Sequence, residues 1–333
     1  MKLTYAILAC CVLVGIGIYT VSCNNNEIGK MAKESVPAQV TNLFYLDSTK
    51  IPAGQYGEAV RYGRDLMMRT SYLIGPDGVN GRYTNNKMNC TNCHQDGGTK
   101  PYSFNLQTSF RRYPEYRARE GRVLSLAERV NNCIMRPHLG KPLPLDGKEM
   151  IAFLSYLKWI SDTSQVAMNT PGVKGLEITF PDTAANSVTG GQLYISHCAR
   201  CHGQNGEGVM QPDNVAYVYP PLWGEKSYQP GSSMHRVIKM AQWLVANMPH
   251  DSATYLKPLL RADEALDIAA FVNNDAIHNR SKVQEFQYPN LEEKAIDYDR
   301  GPFADTFSIS QHKYGPFPPI IKHWKAKGKK PAY

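Results

Sequence analysis

The chain has 333 residues with 37 Lys and Arg against 29 Asp and Glu, a formal charge of +8, and eight cysteines. Charged residues make up 20% and hydrophobic ones 42%, which excludes wholesale disorder, a polytopic membrane protein and a coiled coil and leaves one large or two small globular domains.

In chain order, Leu3 to Val21 is an uncharged apolar run after Lys2, ending at Ser22-Cys23 before three asparagines. It reads as an export leader, residues 1–23, with Cys23 as the lipidated first residue of a lipoprotein. An uncleaved anchor is the alternative, since about 19 apolar residues span a bilayer. Both place the rest outside the cytoplasm, behind an N-terminal extension at 24–52.

Five cysteines remain, an odd number for an exported chain. Four lie in two CxxCH pentapeptides, Cys90-Thr91-Asn92-Cys93-His94 and Cys198-Ala199-Arg200-Cys201-His202. About 0.005 such pentapeptides are expected by chance in a chain of this composition, so two copies point to two covalently attached haem c groups. Two thiols three positions apart can each form a thioether with a haem vinyl group, and the following imidazole becomes the proximal iron ligand. A disulfide or a redox CxxC leaves the His unexplained.

Around each motif the periodicity predicts helices. In a first haem domain, 53–165, a helix over Tyr56 to Thr70 carries Tyr56, Val60, Gly63 and Met67 on one face. A second, Asp146 to Ser161, has Asp146 and Glu149 as a capping box and a stripe of Met150, Phe153, Leu154, Leu157 and Ile160. Residues 166–185 lack helical period and read as a linker. The second haem domain, 186–280, has a helix with Gly190-Gly191 and Tyr194 leading into its motif. It closes with Ala262 to Asn273, whose small residues suit close packing on that Gly-bearing helix. No alternating strand pattern competes, so the expected fold is all-α: two cytochrome c-like domains with long loops. A tail at 281–333, with six prolines and nine aromatics, is expected to pack in extended form. Its Lys322, Lys325, Lys327, Lys329 and Lys330 form a solvated end or, alternatively, a dock for an acidic partner.

The distal ligands are less determined. At the second haem Met248 is the candidate, since it follows a helical segment, Met234 to Asn247, and is fixed by Pro249; Met240, Lys239 and His250 are rivals. A His/Met pair would raise the reduction potential and suit electron exit. At the first haem the leftover Cys133 stands out. Ser125 and Glu128 make a capping box, Leu126, Val130 and Cys133 share a buried face, and Arg129 sits one turn before the thiol, where it favours thiolate. An inert buried cysteine is the plain alternative, and Met135 and His138 are rival ligands. Between Arg111 and Lys141 eight basic residues face three acidic ones. Haem propionates would use some of them and leave enough for a small dianion. Nucleic acid is not expected as a partner, because removal of Lys2 with the leader leaves +7 and four propionates offset over half of that.

The order CxxCH, Tyr113-Pro114 with its Arg-rich stretch, the segment from Glu128 to Arg136 around Cys133, and the helix Met150 to Ser161 resembles dihaem thiosulfate dehydrogenases, also called tetrathionate reductases. The likeness spans about Tyr56 to Asn273. It implies His94 and Cys133 as ligands of an active-site haem, His202 and Met248 as ligands of an electron-transfer haem, and Arg129 and Arg119 as active-site arginines. Family members that carry Lys before the second-haem Met can exchange ligands; Asn247 stands there in this chain. The implied reaction interconverts two thiosulfates and tetrathionate with two electrons. Cys133 is the expected nucleophile, and a small cytochrome or quinol-linked donor the expected redox partner. The implied location is periplasmic, membrane-anchored through Cys23. Other readings are a plain dihaem electron carrier, a dihaem peroxidase, and a Sox-type thiosulfate-binding subunit.

Overall fold

The computed structural model describes residues 39–280 and 288–333. The leader and the lipidation site at Cys23 lie outside the described residues. Among those described, no helix is long and apolar enough to cross a membrane.

The first half is organised by two crossed helices, α1 (Gly54–Met68) and α3 (Lys148–Asp162), with α2 (Leu126–Met135) beside them. Val60, Leu66 and Met67 of α1 pack with Met150, Phe153, Tyr156, Leu157 and Ile160 of α3 in one buried cluster. Each such apolar side chain is worth about 1.5–3 kcal/mol when fully buried. The helices approach closely at Gly63, where an added Cβ would stand 2.0 Å from the Ala152 carbonyl oxygen.

The second half repeats this plan. Helix α4 (Ser187–His197) crosses α6 (Ala262–Val272), and α5 (Val237–Asn247) packs on α6. Here a Cβ on Gly190 would stand 1.9 Å from the Asp267 carbonyl oxygen. The expected contact between the small-residue helix and the Gly-bearing helix is therefore made by backbone on backbone.

Three local expectations are corrected. Asp146 does not cap α3: Gly147 takes the N-cap position without a side-chain cap. Its N–H bonds the Pro144 carbonyl at 3.1 Å, so Asp146 belongs to a preceding turn. Two small antiparallel hairpins exist that no alternation announced, β1 (Glu115–Arg117) with β2 (Arg122–Leu124), and β3 (Val209–Met210) with β4 (Tyr217–Tyr219). Strands of two or three residues are too short to show a period of two. The tail, expected to be extended, has a 3-10 turn at Leu291–Glu293 within otherwise irregular chain from 288 to 308 and is then helical in α7 (Ile309–Tyr314) and α8 (Phe317–Ala326). Pro318 and Pro319 sit in the first turn of α8, where no intrahelical N–H bond is lost. Phe317, Ile320 and Trp324 form its buried stripe against the second core.

Candidate haem sites and a cysteine–arginine centre

Each CxxCH motif is wound into a tight turn that brings its His back over its first Cys. The His94 N–H bonds the Cys90 carbonyl and the His202 N–H the Cys198 carbonyl, both at 2.9 Å. In the first motif the turn is stapled by Asn89 and Asn92, which cap one another reciprocally, a device the sequence reading missed although both residues are ordinary capping types. Among the described residues no disulfide joins Cys90, Cys93, Cys133, Cys198 and Cys201.

Both imidazoles are oriented the same way. His94 Nδ1 lies 2.6 Å from the Phe104 carbonyl oxygen, and His202 Nδ1 lies 2.8 Å from that of Pro220. A carbonyl can only accept, so Nδ1 carries the proton and Nε2 is left with its lone pair for a metal. Two reactive thiols and one pre-oriented Nε2 per motif are the donor set that covalent haem requires. The residues present fit the group at both sites.

At the second site His202, Cys198, Cys201 and Met248 line a cavity of about 300 Å³ with Leu222 and Trp243. Met248 ends α5 at its C-cap, beside Pro249. Among its rivals, Met240 and His250 also border the cavity, but Met240 Sδ already accepts from Asn273 Nδ2 at 3.3 Å. Lys239 turns away toward Gln242, at 3.4 Å. The wall continues into the first motif through Thr91, Asn92 and Cys93, and Trp243 Nε1 donates to the Cys93 carbonyl at 3.2 Å. No local pattern in the chain signals that link between the two halves.

The first site differs in its charges. Ser125 and Glu128 form the expected capping box at the start of α2. In the next turn Arg129 Nη1 donates to Cys133 Sγ at 2.9 Å, with His94 close by. Burial pushes the thiol up, but Arg129, His94 and Arg136 outweigh it and hold Cys133 down at about 6. Burial pushes Cys90, Cys93 and Cys198 up to about 12. Cys133 is thus the one of these sulfurs whose surroundings favour the thiolate.

The rival donors have other surroundings. His138 Nε2 stands 3.7 Å from Cys90 Sγ while its Nδ1 faces Asn86 Oδ1 at 3.3 Å; burial pushes it down to about 4. Met135 borders a separate polar pocket of about 230 Å³, shared with Arg119, Glu120, Arg122, Asn131 and Asn132. Arg119, Arg129 and Arg136 form a cationic cluster: burial and then the two neighbouring guanidinium groups push Arg136 down to about 10. Its buried counterion is Glu120, at 3.2 Å, which also accepts from Asn132 at 3.0 Å. The charge count had shown an arginine surplus without showing which acid is buried within it.

Comparison with known proteins agrees with this two-site organisation. Residues 80–166 match the family described as "SoxA/TsdA, cytochrome c domain", and residues 187–275 match the family described as "Cytochrome c". The thiosulfate dehydrogenase of Stutzerimonas stutzeri (strain A1501) is 33% identical over 250 residues, 75% of each chain. That of Allochromatium vinosum is 31% identical over 262 residues, 78% of this chain and 91% of the relative. Among solved structures, the "as isolated" form of thiosulfate dehydrogenase (TsdBA) from Marichromatium purpuratum superposes with a TM-score of 0.65 at 29% identity. The match covers 78% of this chain and 53% of that one, so the present chain spans about half the length of that protein.

Proposed function

The chain belongs to the thiosulfate dehydrogenase family, and on that premise we propose that it joins two thiosulfate dianions through their outer sulfurs to form tetrathionate, and can run the reverse reaction. It carries two covalently attached haem c groups, which when bound take up the two electrons one at a time. The cytochrome-like domains are assigned to 53–165 and 186–280. His94 and Cys133 would hold the first iron, and His202 and Met248 the second.

The observation that carries this reading is the Cys133 thiol, held at 2.9 Å by Arg129 beside the motif histidine His94. Arg129, Arg136 and Arg119 offset the repulsion that two dianions and a thiolate would otherwise meet. The Cys133 thiolate bonds to the outer sulfur of one thiosulfate as two electrons depart, giving a cysteinyl thiosulfate. The second thiosulfate then attacks that outer sulfur, the bond to Cys133 breaks, and tetrathionate leaves with the thiolate regenerated. Charge and electrons balance, and no proton is moved.

The chain would work in the periplasm, where haem c is attached, tethered by lipid at Cys23. A small cytochrome or a quinol-linked donor would exchange electrons with it. Replacing Cys133 by Ala should abolish turnover while both haems stay attached and the second keeps its spectrum. Retained turnover would remove Cys133 from the chemistry.

A further inference from the structure

Arg119 is supplied by the tip of the β1–β2 hairpin, but the groups that hold it come from elsewhere in the chain. Its Nη1 donates to the Gly231 carbonyl at 2.6 Å, in the second half. Its guanidinium carbon lies 5.4 Å from the ring centroid of Tyr298 and 5.9 Å from that of Tyr288. Both rings belong to the C-terminal tail, outside the two segments matched as cytochrome domains.

The tail is pressed onto the hairpin tip. Tyr288, Ala295 and Tyr298 form a buried cluster against which Ala118 packs. Gly121, at φ +64°, lies so close that a Cβ would stand 2.3 Å from Pro289 Cγ. Tyr116 donates to Glu293 at 2.8 Å. The same stretch is pinned on the other side by Asp297, fully buried, which accepts from Arg236 Nε at 2.9 Å and from the Ile238 N–H at 3.2 Å.

This clamp has a particular electrostatic property. Arg117 pairs with Glu115, Arg122 with Glu128 and Arg136 with Glu120. Among the described residues Arg119 forms no such pair with a carboxylate. Aromatic faces and a carbonyl attract a guanidinium without cancelling its charge. Arg119 is therefore fixed in place, without a carboxylate partner of its own, in the wall of the polar pocket that Glu120, Arg122 and Glu128 also line.

We propose that the C-terminal tail completes the substrate site, with Tyr288 and Tyr298 acting as positioning residues that hold Arg119 for a thiosulfate dianion. This rests on reading Arg119 as a substrate arginine, and the test separates the two claims. Thiosulfate oxidation by the holoenzyme is measured for Arg119→Ala, Tyr298→Leu, Tyr298→Phe and the Arg119→Ala/Tyr298→Leu double variant, with both haem absorbances and Tm checked for each. Arg119→Ala should raise KM about tenfold or more. Tyr298→Leu should raise KM about threefold to tenfold with kcat changed less than twofold, and Tyr298→Phe, which keeps the ring face, should restore it. In the Arg119→Ala background the Leu substitution should add nothing to KM.

A KM unchanged by Tyr298→Leu, or raised equally with and without Arg119, would overturn the positioning role. An unchanged KM in Arg119→Ala alone would instead remove Arg119 from substrate binding, and the proposal with it. If Tyr298→Leu does not fold, Tyr288→Leu and Tyr288→Phe carry the same comparison.

Discussion

The two halves of the molecule use one scaffold for two environments. Each has a crossed helix pair closed at a glycine, Gly63 on Ala152 and Gly190 on Asp267, and a motif His whose Nδ1 is fixed on a carbonyl. They part at the distal side. In the second half a thioether, Met248, ends a helix in a largely apolar cavity. In the first, a thiol sits among three arginines and beside a polar pocket. On the function proposed above, shared backbone and shared motif would specify cofactor attachment, and the side chains around Cys133 would specify the chemistry.

The sharpest way to break this comparison is to exchange its terms. Cys133→Ala should lower thiosulfate turnover by about a thousandfold or more, as loss of a nucleophile does. Met248→Ala should leave the Cys133 centre able to bind thiosulfate and instead lower the second haem's reduction potential, read by spectroelectrochemical titration. Equal loss of thiosulfate binding in both variants would show that the halves are not specialised.

Arg129→Lys should cost about tenfold to a hundredfold in kcat/KM, since the ammonium cannot reproduce the guanidinium bond to Cys133. Stability offers a test on the shared scaffold. Gly190→Ala places a Cβ at 1.9 Å from a carbonyl oxygen, and a loss of about 2–4 kcal/mol is expected in denaturant titration. A neutral result would mean that the α4–α6 contact relaxes freely.

Glu120→Gln leaves Arg136, whose side chain is 8% exposed, without its buried counterion. About 3 kcal/mol of stability should be lost, while the second half's own buried pair, Arg236 with Asp297, is untouched by the change. The smallest effect concerns the cap of α2. The Ser125 N–H, followed by Arg122 and the Ser125 hydroxyl, holds Glu128 down at about 2 from an ordinary 4.5. A carboxyl depressed on folding stabilises fully above its unfolded value, and the contribution fades as pH falls from about 4.5 through 2. The Glu128 side chain is 31% exposed and its Arg122 partner 59%, so solvent screening keeps the effect small. Ser125→Ala should cost about 1 kcal/mol at neutral pH and less at acidic pH.

Much of the organisation was legible because it is local. A CxxCH pentapeptide encodes attachment in five consecutive residues, helix periodicity shows each core-facing stripe, and Ser125 with Glu128 announces a cap three residues apart. The β hairpins were not legible, since three residues cannot display a period. Nor was the helical end of the tail, where prolines mask a stripe of Phe317, Ile320 and Trp324 that only the second core makes meaningful.

By itself the sequence determined two haem attachment sites, a mostly helical fold and an unusual cysteine among arginines, because each is written within one or two helical turns. Only the tertiary structure decided what surrounds them: Glu120 buried against Arg136, Trp243 bonded to the first motif at Cys93, and Arg119 held by Gly231 and two tail tyrosines. These pairs are separated by up to 179 positions in the chain. Their strength depends on distance and burial, which chain spacing does not specify.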